Sequence, residues 1–306
     1  MRPLRSLLAV LLTLGIASCQ IFLAGEPPEV DIGAFGVRGD GVADDGPGLQ
    51  AAIDAAESRG EPLDIPTPRN FYASFQTLVV TSATVRGSGA EIRNPNGTVL
   101  RVLGPARVSG LTLTGRNGIE LHGGTLENLT VTGTGGGYPG DGWAIYGLAT
   151  TFGDAVIRGS ILRGQGIGTF AVGLLDSTQL TLEDDSVVGV QWGVYVRGRS
   201  TLTATRTSIF GAIAGLELDR KPAGYPVWDG IDRFGDTDIV LTDCAITTDP
   251  GGPRWDMAVP FIAGVGHVVL AGTTNPASIW NNYSGPDGDP PVGPPIGSVN
   301  DIIVRR

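Results

Sequence analysis

The sequence predicts an all-β solenoid, a parallel β-helix covered at its N-terminal end by a short α-helix. Three observations carry this. The chain holds 48 glycines, well above the average share, and they punctuate short runs rich in Val, Ile, Leu and Thr without a collagen period. Those runs recur at a near-constant spacing. A helical period is found near the N-terminus, in Pro47 to Glu57, and nowhere among the recurring runs is it long enough for a crossover helix.

The first 18 residues read as a processing signal. Arg2 and Arg5 form a basic start, and Leu7 to Ile16 is an apolar run shorter than the roughly 20 residues a membrane-spanning helix needs. The run ends in Ile16-Ala17-Ser18-Cys19, which resembles a bacterial lipobox. That resemblance implies that Cys19 is lipidated and becomes the mature N-terminus, so that the protein sits on a membrane without crossing it. Gln20, standing where an aspartate would imply inner-membrane retention, implies the outer membrane or cell surface of a bacterial envelope. An ordinary secretory signal with a chance cysteine is the alternative. With Cys19 lipidated, Cys244 has no partner for an intrachain disulfide, and its apolar run Ile239 to Ile246 predicts a packed, unreactive thiol.

The segment Gly33 to Ala56 is glycine-rich at first and then helical. Leu49, Ile53 and Ala56 share one helical face, Pro47 suits the first turn, and Asp44 or Asp45 suits the N-cap. A helix there would cover the open end of a solenoid, whose exposed strand edges otherwise invite aggregation. The phrase Phe35-Gly36-Val37-Arg38-Gly39-Asp40-Gly41-Val42-Ala43-Asp44-Asp45, followed by Leu49-Gln50-Ala51-Ala52-Ile53-Asp54, resembles the N-terminal element of the pectate-lyase superfamily. That resemblance implies a right-handed parallel β-helix and a structural role for Asp40, Asp44 and Asp45. A phosphate-cradling reading would need a strand and a parallel α/β sheet that the pattern lacks.

The recurring units open at Gly97, Gly118, Gly142, Gly168, Gly193 and Gly215, spaced 21, 24, 26, 25 and 22 residues apart. Each closes with a second run: Val108 to Gly115, Leu126 to Gly133, Ala155 to Gly164, Gln179 to Gly189, Leu202 to Gly211 and Ile239 to Thr247. Short alternating runs of this kind are half-buried strands. Stacked about 4.8 Å apart, successive coils bury their inward side chains in one column. The longest insertion is Arg220 to Asp236. The tail from residue 285 to 306 begins GPDGDPPVGPPIG, an extended strap, and ends with Ile302, Ile303 and Val304, suited to a last short strand. The expected layout is a signal over residues 1–18, one β-helix domain over 19–284 with its cap at 33–57, and a Pro/Gly-rich tail over 285–306.

Counting from each opening glycine, positions +1 and +3 are mostly apolar (Leu100, Ile119, Leu121, Trp143, Ile145, Val194, Val196, Leu216 and Leu218), which predicts that they point inward. Position +2 then reads Val99, Glu120, Ala144, Tyr195 and Glu217, and position +4 reads Arg101, His122, Tyr146, Arg197 and Asp219, all predicted to point out. Acids, cations and tyrosines on a long face suit polysaccharide, because rings pack on apolar sugar faces and charges take hydroxyls. The expected substrate-binding residues are Glu120, His122, Tyr146, Tyr195 and Trp228 of the insertion. Glu217 and Asp219 are two residues apart on one strand, so their backbones lie roughly 6.5 Å apart. A general acid and general base around a water need about 6.5–9.5 Å between carboxyls. The expected catalytic set is Glu217, Asp219 and Arg197, the last lowering a carboxylate pKa or gripping a uronate carboxylate.

The resemblance implies a hydrolase or lyase, yet the motifs of polygalacturonase-like members are incomplete. Asp184-Asp185 falls in a closing run, Gly266-His267-Val268 lacks a second glycine, and no Arg-Ile-Lys occurs. No cofactor and no bound metal are expected. Calcium is the secondary expectation, from Asp219, Asp229, Asp232, Asp236 and Asp238 as hard oxygen ligands. A net charge of −10 argues against nucleic acid as a partner. Two function classes follow: an envelope-anchored β-helix that binds or cleaves polysaccharide, and a non-catalytic scaffold of the cell surface.

Overall fold

Each coil of the chain lays down three short strands, and each strand pairs in parallel with its counterpart one coil on. The computed structural model describes residues 30–135, 142–148, 154–165, 170–175, 177–197, 200–212, 214–219, 237–247, 266–272, 279–282 and 301–305. They form a right-handed parallel β-helix of about six turns with one helix near the N-terminus.

Three faces run the length of the solenoid. The first strands of the coils include Leu63–Ile65, Gly124–Glu127, Ala155–Arg158, Gln179–Glu183, Thr201–Thr205, Thr237–Thr242, Gly266–Ala271 and Asp301–Arg305. The second face holds Tyr72–Ala73, Thr130–Gly133, Ile161–Gly164, Ser186–Gly189, Ser208–Gly211 and Ala245–Thr247. The third, the ladder face, holds Leu78–Val80, Ile145–Leu148, Phe170–Leu175, Trp192–Arg197, Ala214–Asp219 and Ile279–Asn282. Two long strands, Thr84–Val102 and Arg107–Leu121, bend through all three faces without a break.

The corners explain the composition. Between the first and second faces one residue per coil takes the left-handed conformation: Gly110, Asn128, Gly159, Asp184, Arg206, Asp243 and Gly272. Asn and Asp tolerate that region best after glycine. The amides of Asn128, Gly159, Asp184, Arg206 and Asp243 each donate to a carbonyl of the next coil, as from Asp184 N to Thr205 O at 3.1 Å and from Arg206 N to Thr242 O at 3.0 Å. A buried small polar residue follows it in successive coils: Ser160, Asp185, Thr207 and Cys244. Its hydroxyl takes an amide of the previous coil, from Leu129 N to Ser160 Oγ at 3.1 Å and from Asp185 N to Thr207 Oγ1 at 3.4 Å. The Cys244 thiol is buried among these groups, and desolvation pushes its pKa up. It is the unreactive thiol that its apolar run predicts.

The core is one column dominated by Val, Ile and Leu; Leu113, Ile119, Leu126, Ile145, Leu182 and Ile209 all lie fully buried in it. Each such side chain contributes about 1.5–3 kcal/mol.

At the N-terminal end the helix Gly46–Arg59 buries Leu49, Ala52, Ile53 and Ala56 over the first coil. The aspartates before it are structural. Asp45 is 2% exposed, and its carboxylate accepts from Arg38 N at 2.7 Å and Gly39 N at 3.1 Å. Asp44 accepts from Gly46 N and Phe75 N, both at 3.1 Å, and Asp40 accepts from Val42 N and Ala43 N. The Asp40 carboxyl is held below its ordinary value by those two amides. Between them the three carboxylates take the amides of Arg38, Gly39, Val42, Ala43 and Gly46 in the loop and first turn, and that of Phe75. Gly39, at a φ of +61°, lies against Pro68 and Tyr72, where a Cβ would come within 2.6 Å. Asp45→Ala leaves two amides without partners, and its expected effect is a loss of about 3 kcal/mol, read from the urea midpoint.

Candidate functional site

Register decides what the ladder face displays. The strands pair Leu100 with Ile119, Ile119 with Ile145, Ile145 with Val172, Val172 with Val194, and Val194 with Leu216. The residue before each is therefore equivalent: Val99, Gly118, Ala144, Ala171, Gly193 and Gly215. Gly118, Gly193 and Gly215 open their units as expected. Gly97, Gly142 and Gly168 do not, and the true positions lie two, two and three residues further on.

Val99 and Ala144, expected to face out, are fully buried in the core, and Trp143, expected to face in, lies outside it. The reason is a break in alternation at the corner. The opening residue and the one after it both face inward, as Val99–Leu100, Ala144–Ile145 and Ala171–Val172 do. Opening positions are small because the second face crowds them. A Cβ on Gly118 would stand 2.2 Å from Val131 Cγ1, and one on Gly215 would stand 2.5 Å from Ile246 Cγ2.

With the register set, Arg101, Glu120, Tyr146, Gly173, Tyr195, Glu217 and Trp280 occupy one column, each paired with the next. Arg101 and Tyr146 thus stand beside Glu120, not with His122 in the column expected for them. The residues just before the opening positions point outward and supply an aromatic set that counting from glycines concealed: Trp143, Phe170 and Trp192. Phe170 stacks on Tyr195 at 4.3 Å between centroids and lies 5.2 Å from Trp143 and 5.0 Å from Trp192. The cluster forms over Gly173, where an added Cβ would fall 1.7 Å from the Trp143 ring. Tyr146, Leu175 and Trp192 pack at its edge, half-buried. Tyr195 is 8% exposed, so most of its ring is covered by protein. Among the described residues the buried indole N–H of Trp192 has no hydrogen-bond partner.

Beside this cluster lies a charged one. The Glu120 carboxylate, 9% exposed, accepts from three side chains: Arg101 Nη2 at 2.8 Å, His122 Nε2 at 2.8 Å and the Tyr146 hydroxyl at 2.9 Å. Thr98 Oγ1 lies 3.0 Å from the same Tyr146 hydroxyl. Burial alone would raise the Glu120 carboxyl, but the bonds from Arg101, His122 and Tyr146 outweigh it and hold the group below its ordinary value. Burial, reinforced by Glu120 and opposed by Thr98, pushes the Tyr146 phenol up to about 12. At neutral pH the centre is an ionised glutamate and a protonated phenol.

The strand positions of Arg197, Glu217 and Asp219 are described, with Tyr195 paired to Glu217 and Arg197 to Asp219. Their side chains, like Trp228, Cys19 and the insertion acids Asp229, Asp232 and Asp236, lie outside the described residues. Among the described residues no cluster of His, Cys, Asp and Glu has metal-binding geometry. The Asp184-Asp185 pair is a corner: Asp184 pairs with Arg206 at 2.7 Å, and Asp185 is 3% exposed on the inner side of the turn.

No protein-family model and no curated protein sequence matches the chain. Among solved structures, the Dettilon tailspike protein superposes with a TM-score of 0.52 at 12% identity, over 81% of this chain and 59% of that one. The catalytic unit of a GH87 alpha-1,3-glucanase from Streptomyces thermodiastaticus superposes with a TM-score of 0.44 at 17% identity, over 81% and 59%. This chain thus spans less than two thirds of the length of either. The tailspike likeness is one of fold.

Proposed function

We propose that this chain is a pectate-lyase-superfamily β-helix that binds polysaccharide along its ladder face, held on a bacterial outer membrane or cell surface by a lipid on Cys19. The observation that supports it is the single strand register Arg101–Glu120–Tyr146–Gly173–Tyr195–Glu217, with an aromatic cluster at its middle. A polysaccharide repeats hydroxyls and apolar ring faces along one axis, and such a column repeats its groups at the coil spacing of about 4.8 Å. The half-buried edges of Trp192, Leu175 and Tyr146 offer apolar contact, and Arg101 and His122 offer charge and hydrogen bonds.

Glu217 and Asp219 extend the face by one coil. We assign them the acid and base roles in cleavage of a bound chain, with Arg197 beside Asp219. Calcium ligated by Asp219, Asp238 and the insertion acids is the metal reading to test. Binding of the purified chain to an array of acidic and neutral polysaccharides, with and without calcium, tests the proposal. A hit is expected, weakened about five- to tenfold in Trp192→Phe, which shortens the aromatic edge offered to a sugar face. New reducing ends on the hit, lost in Glu217→Gln or Asp219→Asn, identify an enzyme; binding without them leaves a carbohydrate-binding protein. The closure of Trp143, Phe170 and Tyr195 on one another favours a second reading, a rigid non-catalytic scaffold, and absence of binding to any glycan would select it.

A further inference from the structure

We infer that Glu120, His122 and Arg101 form a water-activating centre that hydrolyses ester groups carried on a glycan; the carrier rests on the polysaccharide reading, whereas the chemistry rests on these three side chains.

A carboxylate can only accept, so the 2.8 Å contact between Glu120 Oε1 and His122 Nε2 places the proton of a neutral imidazole on Nε2. The lone pair is then on Nδ1. His122 is partly exposed, with 19% of its side chain accessible, and among the described residues Nδ1 has no hydrogen-bond partner. An imidazole fixed in one tautomer by a carboxylate, with its other nitrogen open to solvent, is a general base suited to neutral pH.

Glu120 itself is excluded as a proton donor. Three donors hold it ionised, so the protonated carboxyl that glycoside cleavage needs does not exist at this point. Ester hydrolysis needs no such acid. It needs a base for water and donors for an oxyanion. Arg101 supplies the donors. One of its N–H groups is spent on Glu120 Oε2, its side chain is 44% exposed, and its other N–H groups make no hydrogen bond among the described residues. Arg101 and His122 hold different oxygens of the same carboxylate, which sets both beside Glu120 at one point of the ladder face. Tyr146, anchored by Thr98, fixes the carboxylate from below.

In the first step a water oxygen bonds to the ester carbonyl carbon while Nδ1 takes one water proton. The carbonyl π pair moves onto its oxygen, facing the Arg101 N–H groups. In the second step that pair returns, the bond from carbon to the sugar oxygen breaks, and the imidazolium proton passes to the departing sugar oxygen. One water is consumed, and one carboxylic acid and one sugar hydroxyl are released.

The full chain is assayed for acetate release from O-acetylated xylan and for turnover of 4-nitrophenyl acetate, with binding of the same xylan measured separately. Saturable turnover is expected. His122→Asn is expected to lower kcat about 100-fold or more. Glu120→Gln, acting through His122, is expected to lower kcat at least tenfold with KM unchanged; an unfolded fraction would give the same split, so thermal melts of both variants must show a fully folded population at the assay temperature. Xylan that binds without releasing acetate, together with no His122-dependent turnover of 4-nitrophenyl acetate, overturns the inference and leaves the binding reading standing. His122-dependent turnover of the small ester with no polysaccharide bound does the reverse.

Discussion

Replacing Gly189 with alanine should lower stability by about 3 kcal/mol or more and disturb the ladder face at the same time. Gly189 closes a strand of the second face, in register with Gly164 before it and Gly211 after it. A Cβ there would lie 1.6 Å from the carbonyl oxygen of Trp192 and 2.4 Å from its carbonyl carbon. Those atoms belong to backbone, not to the movable end of a side chain. Trp192 starts a strand paired with Phe170 on one side and Ala214 on the other, so its carbonyl cannot retreat without breaking the register of three coils. The Trp192 ring, 5.0 Å from Phe170, would move with it. Urea unfolding gives the first readout and tryptophan fluorescence of the folded state the second. Gly97→Ala is the control. The atoms nearest its Cβ would belong to the Asn94 side chain, none closer than 3.3 Å, and a change within about 0.5 kcal/mol is expected. Equal effects at the two positions would show that steric crowding at the corner is not why glycine stands there.

That contrast also separates what the sequence made legible from what it did not. The closing glycines, the alternating runs and the cap phrase each report a strong local constraint: a corner with no room, a strand with one face inside, a loop tied by carboxylates. They were readable because each constraint acts on its own residue. The ladder register was not, because the opening position is defined by contacts with another coil. A residue there must be small, and alanine serves as well as glycine; Ala144 and Ala171 prove it, and Val99 fits where the second face leaves space. Counting from glycines therefore mixed two registers. It separated Arg101 and Tyr146 from Glu120, with which they share hydrogen bonds, and it hid the column Trp143, Phe170 and Trp192. Aligned on small residues of either kind, the aromatic set would have stood out just before each strand. The Asp184-Asp185 pair shows the same limit: two identical residues have opposite fates, one left-handed and exposed, the next sealed inside.

Asp185 carries the other large expected effect, a stability that falls as pH rises. Its neighbours in the corner column are Ser160 one coil before and Thr207 one coil after, both hydroxyls. Burial raises the Asp185 carboxyl from 3.8 to about 7, against the pull of the amides of Ser160 and Glu183, which donate to its two oxygens at 2.7 and 2.9 Å. In the unfolded chain the group ionises at its ordinary value. Between about pH 4 and pH 7 the folded protein therefore holds a proton that the unfolded chain releases, so stability declines across that window and levels off above it. The full deficit at alkaline pH is on the order of 4 kcal/mol, as an upper bound. Asp185→Ser should abolish this slope and make the protein more stable than wild type above pH 7. A serine hydroxyl there can take the Ser160 amide as Ser160 takes that of Leu129, and can donate to the carbonyl two residues back as Ser160 does to Arg158. Asp185→Asn should be worse than either at every pH, since its amide NH₂ would face a backbone N–H. Urea titrations of the three proteins at pH 4.5, 6 and 7.5 decide the matter. A wild-type advantage over Asp185→Ser that stays constant across the series would mean that the two amides outweigh burial and keep the carboxylate charged inside the turn.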